Sequence, residues 1–262
     1  MAAGRSDFAK TAPFAHLTPW LQRLHGLDDG HWPDLAELNN LAAEQNLRNA
    51  IGLPVRFSAQ SSPCGQHDYE IGIYTSGRVP SRERNWHDLF NALAWLAFPA
   101  TKAALNAVHQ TALQPGRNRS PLSDAATLFD ESGLVLVGQE DDLAELLAAR
   151  RWQEAWVQRR PQWRRIRAYI VGHAVLEKLL SPWPGITAKC LFVPLPADTD
   201  LATLDTVIAQ RWQEAAVTAP AALFPLPVLG IPGWWPANEH AEFYDQQRFF
   251  RPPRPLEAHS RS

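Results

Sequence analysis

Hydrophobic and polar positions along this chain switch repeatedly between helical and strand-like spacing. From Asp34 to Ile51, Leu35, Leu38, Leu41, Ala42 and Leu47 recur near helical intervals, which predicts a helix closing at Gly52. "HDYEIGIYTSGRVP" (67–80) contains a short alternating run and predicts a strand ended by Gly77 and Pro80. "NWHDLFNALAWLAFP" (85–99) is apolar nearly all the way round and predicts a buried helix. Pro99 suits the first turn of the next one, "PATKAALNAVHQ". "TLFDESGLVLVG" (127–138) predicts a β-hairpin turning at Asp130-Glu131-Ser132-Gly133, with Gly133 supplying a positive φ. From Asp141 to Leu180 helical spacing dominates, interrupted near Pro161. "GITAKCLFVPLP" then predicts an apolar strand, and "DLATLDTVIAQRWQEAAV" a further helix.

These elements predict an α+β fold: a predominantly helical single domain with a few short strands and a β-hairpin. The expected domain covers residues 16–252, after a loosely ordered 1–15 and before a flexible tail, 253–262. "RWQEAWV" (151–157) echoes "RWQEAAV" (211–217), but the flanks diverge at once, so two similar helix ends are expected and not a repeat.

Composition narrows the function classes. The 262 residues are 45% hydrophobic and 20% charged, with a net charge of −2, which argues against a protein held to nucleic acid by bulk electrostatics. Cys64 and Cys190 form no CxxC pair and read as reduced thiols. The longest apolar run, Leu89 to Phe98, is broken by Asn91 and is shorter than the ~18 residues a bilayer requires. With no apolar segment near the N-terminus, a cytoplasmic, non-membrane protein is expected. Eleven Trp and twenty-two Pro gather late in the chain, where "FPLPVLGIPGWWPANEH" predicts ordered loop.

The candidate chemistry lies in polar residues at apolar positions. Asn85 and Asp88 have a sufficient role as a helix N-cap and its third-position partner. His87 and Asn91, four apart on the face that continues through Trp95 and Phe98, have no such role and require partners if buried. Lys102, Asn106 and His109 form a stripe that reads first as a solvated face and second as the lining of a pocket. In "WRRIRAYIVGHAVLEKLL" (163–180), a helical step places His173 and Glu177 in the middle of the face built by Ile166 and Ile170. That placement predicts either an internal His–carboxylate pair or a pocket in which a carboxylate-supported imidazole is base or ligand. A divalent metal is compatible with His87, His109, His173, Glu177 and Asp88, although no HExxH or CxxC spacing links them. Cys64 and His67 lack the further ligands a zinc site needs, and Asp130 and Glu131 are ordinary turn residues under the hairpin reading. Seven arginines between Arg150 and Arg167 are interleaved with Trp152, Trp156 and Trp163, a pattern that can contact nucleic acid but is more often a solvated face with tryptophans docked inward, which the overall acidity favours. No P-loop, GxGxxG or GxSxG is present.

Residues 79–109, "TLFDESG", "GHAVLEKLLSPWPGITAKCLFV" and "LGIPGWWPANE", in that order, resemble the bacterial family known as domain of unknown function 3025. The resemblance implies a single-domain bacterial protein and supplies no catalytic residues, cofactor or partner. The leading functional expectation is therefore a hydrolase, metal-assisted or acid–base. Its pocket would be built from His87, Asn91, His173 and Glu177, with Lys102, Asn106 and Asn238 as substrate contacts and the loop from Gly233 to Asn238 as cover. The alternative is a non-enzymatic binding or scaffold protein in which these groups form a structural network and the Arg/Trp-rich helices meet a partner.

Overall fold

The structure is a computed structural model and describes residues 8–24, 32–60, 65–112 and 120–252. Its elements run α1 (Thr18–Leu21), α2 (Leu35–Glu44), β1 (Arg56–Ala59), α3 (Gln66–Ser76), β2 (Arg78–Ser81), α4 (Trp86–Ala97), α5 (Pro99–Ala112), α6 (Pro121–Ser132), β3 (Gly133–Gly138), α7 (Asp141–Ala148), β4 (Arg167–Ile170), α8 (His173–Lys178), β5 (Thr187–Pro194), α9 (Leu201–Gln213) and β6 (Phe224–Pro227). The fold is α+β. A four-stranded mixed sheet, ordered β4-β3-β5-β6, pairs β3 and β5 in parallel and both outer strands antiparallel. β1 and β2 form a small parallel pair. Every residue of β3 is buried, as expected of an apolar Val/Leu run in the interior of a sheet.

Helix α5 is the hub of the helical layer and packs against α3, α4, α6 and α9. Its N-terminus is fixed by Asp205 of α9, whose carboxylate accepts from the amides of Ala100 and Thr101 at 2.8 Å each. An anion at the positive end of the helix dipole holds the two elements in register.

Several local expectations need correction. Residues 66–76 are helical, not a strand; Gly77, at φ 69°, ends α3 with a left-handed cap, and the strand begins only at Arg78. The predicted hairpin at 127–138 is the last turns of α6 running directly into β3. Gly133 has an ordinary φ of −68°, and the reason for glycine is contact: a Cβ there would lie 2.3 Å from the Phe129 carbonyl oxygen. The stretch 163–180 is not one helix but a 3-10 segment (Arg160–Arg165), strand β4 and the short α8. α2 stops at Glu44, well before Gly52, although Asp34 and Glu37 form the capping box that starts it. Residues 8–17 form two 3-10 segments with Phe8, Phe14 and Leu17 buried, so packed structure begins before residue 16. The tail 253–262 lies outside the described residues.

Gly172 has the consequence that matters most for the site. Its amide donates to the Gly133 carbonyl at 2.9 Å, and a Cβ on it would meet the Gly133 nitrogen at 2.3 Å. Only glycine permits this approach, which brings the start of α8 against the α6–β3 junction. The echo is not a repeat, since 151–157 opens a helical turn and 211–217 closes a helix. Trp152, Trp156 and Trp163 are buried, with Trp156 and Trp163 stacked at 4.3 Å; five of the arginines around them are exposed, while Arg150 and Arg160 are partly buried.

Candidate metal centre

Three helix ends converge on one cleft of about 530 Å³. The start of α4 contributes His87, Asp88 and Asn91, the end of α6 contributes Asp130 and Glu131, and α8 opens with His173. The expected cap is present: the Asn85 side chain accepts from the Asp88 amide at 3.1 Å. Asp88 in turn binds Arg82, accepting from its amide at 2.6 Å and from its guanidinium at 2.8 Å. Burial opposes the Asp88 charge, but these Arg82 bonds outweigh it and hold the carboxyl below its ordinary range.

His87 and His173 meet directly, with their Nε2 atoms 3.0 Å apart. The Glu131 carboxylate lies 3.7 Å from His173 Nε2, and one donor atom from each of the three residues falls within 4.8 Å of the other two. Ligands on a common metal at ~2.0–2.2 Å stand roughly 3–3.5 Å apart; the histidine pair at 3.0 Å meets this and the Glu131–His173 distance of 3.7 Å is slightly wider, which makes the three a candidate ligand set. Glu177 stands behind His87, accepting from its Nδ1–H at 3.1 Å. A carboxylate so placed fixes the tautomer of its imidazole and leaves Nε2 free to face the cleft. His173 Nδ1 is buried facing Asp130, 3.8 Å from its carboxylate and beside its backbone carbonyl, but makes no well-aligned hydrogen bond. Burial is the main cause that pushes the His173 imidazolium down to about 3; Asp130 opposes it, and Lys102 and His87 add to it.

Behind the cleft wall runs a connected polar layer. Asn91 donates to the Tyr69 hydroxyl at 2.8 Å and accepts from Lys102 Nζ at 2.8 Å, and Lys102 also donates to Asp130. Asn106 donates to the Glu70 carboxylate at 2.8 Å and to its backbone carbonyl at 2.9 Å. The solvated-face reading of the α5 stripe is therefore overturned: Lys102, Asn106 and His109 are all buried, because α3 and α6 cover that side. His109 lines the cleft and bonds Ser123 at 3.4 Å, and its donor atoms are outside the converging set. Glu70 lines the cleft too; burial, with help from Asp130, raises its carboxyl to about 7. Asn238 is elsewhere, donating to the carbonyls of Leu229 and Ile231 and knitting the Trp-Pro loop to itself. That loop flanks a different groove, beside His16 and Trp163, and does not cover the cleft.

The family described as protein of unknown function, DUF3025, matches residues 55–254. The chain belongs to that family. The matched span of this DUF3025 protein contains every residue of the cleft. No curated protein and no solved structure matches it. Sequence reasoning reached His87, Asn91, His173 and Glu177 but missed Glu131, Asp130, Tyr69 and Glu70. The first two were assigned to a turn and the last two to a strand. Among the described residues no helix is long and apolar enough to cross a membrane. Cys64, half of the discounted Cys64–His67 pair, lies outside the described residues.

Proposed function

We propose that this DUF3025 protein is a metal-dependent hydrolase in which His87, His173 and Glu131 hold one divalent cation, zinc being the ion best matched to two imidazoles and a carboxylate. The observation that carries this reading is the convergence of one donor atom each from His87, His173 and Glu131 within 4.8 Å of one another at the cleft. The tautomer balance of the facing histidines agrees: if two neutral imidazoles only bonded each other, one Nε2 would donate. His87 Nδ1–H already serves Glu177, so that donor would be His173, leaving its bare Nδ1 lone pair buried against Asp130 oxygens. Protonating His173 to escape this is opposed by its burial. A cation accepting both Nε2 lone pairs resolves the conflict, since each Nδ1–H then points at a carboxylate. The rival structural-network reading has the Lys102–Asn91–Tyr69 layer in its favour, but His173 Nδ1 can donate in it only if His87 carries both ring protons.

A zinc ion held by His87, His173 and Glu131 would supply Lewis acidity and activate a water for attack near neutral pH. The chain's own residues would do the rest. Glu70, raised to about 7, can take the proton of the attacking water and return it to the departing oxygen or nitrogen. The Tyr69 hydroxyl, which accepts from Asn91, retains its O–H for a developing oxyanion. Glu70, Asp88, Asp130 and Glu131 line the cleft, and its one arginine, Arg82, is committed to Asp88. That balance disfavours phosphate and favours neutral or cationic esters and amides. The test is zinc stoichiometry after chelation and reloading, followed by ester and amide hydrolysis by the loaded protein. One zinc per chain is expected, lost in His87→Ala and His173→Ala; a wild type that retains no stoichiometric metal refutes the reading.

A further inference from the structure

On another part of the surface, sharing no residue with the metal cleft, lies a groove of about 380 Å³ beside the edge strand β6. Its floor is the indole of Trp183, which is 54% exposed and is one of two exposed large hydrophobic side chains among the described residues. The ring is not loose. A Cβ on Gly185 would fall 1.7 Å from its Cζ3 and 2.1 Å from its Cη2, so the indole lies directly on the glycine backbone. Pro182 and Pro184 restrict the chain on either side, and Phe249 meets the ring edge-on at 6.3 Å. One face of the indole is thus held by protein and the other is open.

Three arginines surround this platform. Arg150, Arg248 and Arg251 line the groove, and no carboxylate does. The Arg248 guanidinium sits over the Phe249 ring at 4.5 Å, which orients it through a cation–π contact. Among the described residues, none of the three guanidiniums is within ion-pair distance of an acidic side chain, whereas Arg151, Arg159, Arg160 and Arg165 nearby in sequence all have such partners. A pre-ordered aromatic face beside three uncompensated guanidiniums has the donor set for a flat ring carrying an anionic group. Stacking is tolerant of ring identity, and guanidinium forks match phosphate oxygens.

We propose that this groove binds a free nucleoside phosphate, with the base stacked on Trp183 and the phosphate held by the arginines. The volume suits a ligand of about one nucleotide. The test is calorimetric titration of the full-length protein with AMP, ATP and GTP, beside inorganic phosphate, an eight-nucleotide single strand and a hexaglutamate peptide. Saturable nucleotide binding is expected, weakened about tenfold in Trp183→Leu and at least as much in Arg150→Ala/Arg251→Ala, and unchanged in His173→Ala. Trp183 is a surface residue, so unaltered circular dichroism and melting of Trp183→Leu separate a lost platform from a lost fold. Absence of nucleotide binding at millimolar concentration overturns the proposal. So does binding indifferent to Trp183, binding lost in His173→Ala, equal affinity for the peptide, or a strand that binds much more tightly than mononucleotides.

Discussion

Replacing Lys102 with Met tests whether the layer behind the cleft is an energetic unit. Lys102 is 4% exposed and Asp130 17%, and the ammonium donates to both Asp130 and Asn91. An exposed pair would be worth about 0–1 kcal/mol, because water replaces either partner. Here water cannot do so freely. Removing one member leaves the Asp130 charge uncompensated, at a cost of about 3–5 kcal/mol, and the Asn91 carbonyl loses a donor worth roughly another 1 kcal/mol. Asp130 keeps some access to solvent, so the expected loss is about 3–4 kcal/mol, or on the order of 6–16 °C in Tm. Asp130→Asn in the Lys102→Met background removes the orphaned charge and should recover at least half of it. Urea denaturation of the four proteins in the double-mutant cycle reads both quantities. A single-variant loss below about 1 kcal/mol, or strictly additive substitutions, would show that the pair is solvated and that the buried layer does not couple Asn91 to the cleft.

Zinc at about one hundred times its Kd should stabilise the chelated protein by about 2.7 kcal/mol, visible as a rise in melting temperature that His173→Ala abolishes. Gly172→Ala should cost at least about 2 kcal/mol, because its Cβ would press on the Gly133 backbone, while Gly72→Ala inside α3 meets nothing within 4 Å and should gain about 0.5–1 kcal/mol. Thermal melts of the two variants should move in opposite directions. Burial lowers the His16 imidazolium from 6.5 to about 4, against the raising effect of its 2.9 Å bond to the Ile170 carbonyl. The unfolded chain therefore binds this proton first: stability is full above pH 6.5 and falls as pH drops toward 4, by on the order of 2–3 kcal/mol. In His16→Gln, which keeps a donor without titrating, that part of the acid loss should vanish from denaturation curves at pH 4.5 and 7; an unchanged difference between the two pH values would count against it.

Much of the helical layer was legible because its signals are local. Asn85 caps α4 through a bond spanning three residues, Pro99 opens α5, and the apolar run of β5 satisfies strand spacing without reference to distant residues. His87, Asn91 and His173 were conspicuous because polar groups in apolar segments are costly wherever the segments pack. Other signals were ambiguous by nature. Tyr69, Ile71 and Ile73 alternate like a strand, yet they lie on α3, since a short run fits both periods. Glu177 was reached through a helical wheel extending back to Ile166, but that residue precedes a strand; Glu177 is 44% exposed and serves His87 and not His173.

The sequence by itself determined the α+β class, the family, the caps and the polar anomalies, because backbone propensity, apolar spacing and side-chain type are properties of short segments. Only the tertiary structure decided that Asp-Glu-Ser-Gly ends a helix at the cleft instead of turning a hairpin. It also decided that the α5 stripe is covered by α3 and α6, and that His87 and His173, eighty-six residues apart, stand 3.0 Å from each other. Such facts depend on which surfaces bury one another. The backbone contact of Gly172 with Gly133, which delivers His173 to Glu131, has no signature in the spacing of either segment.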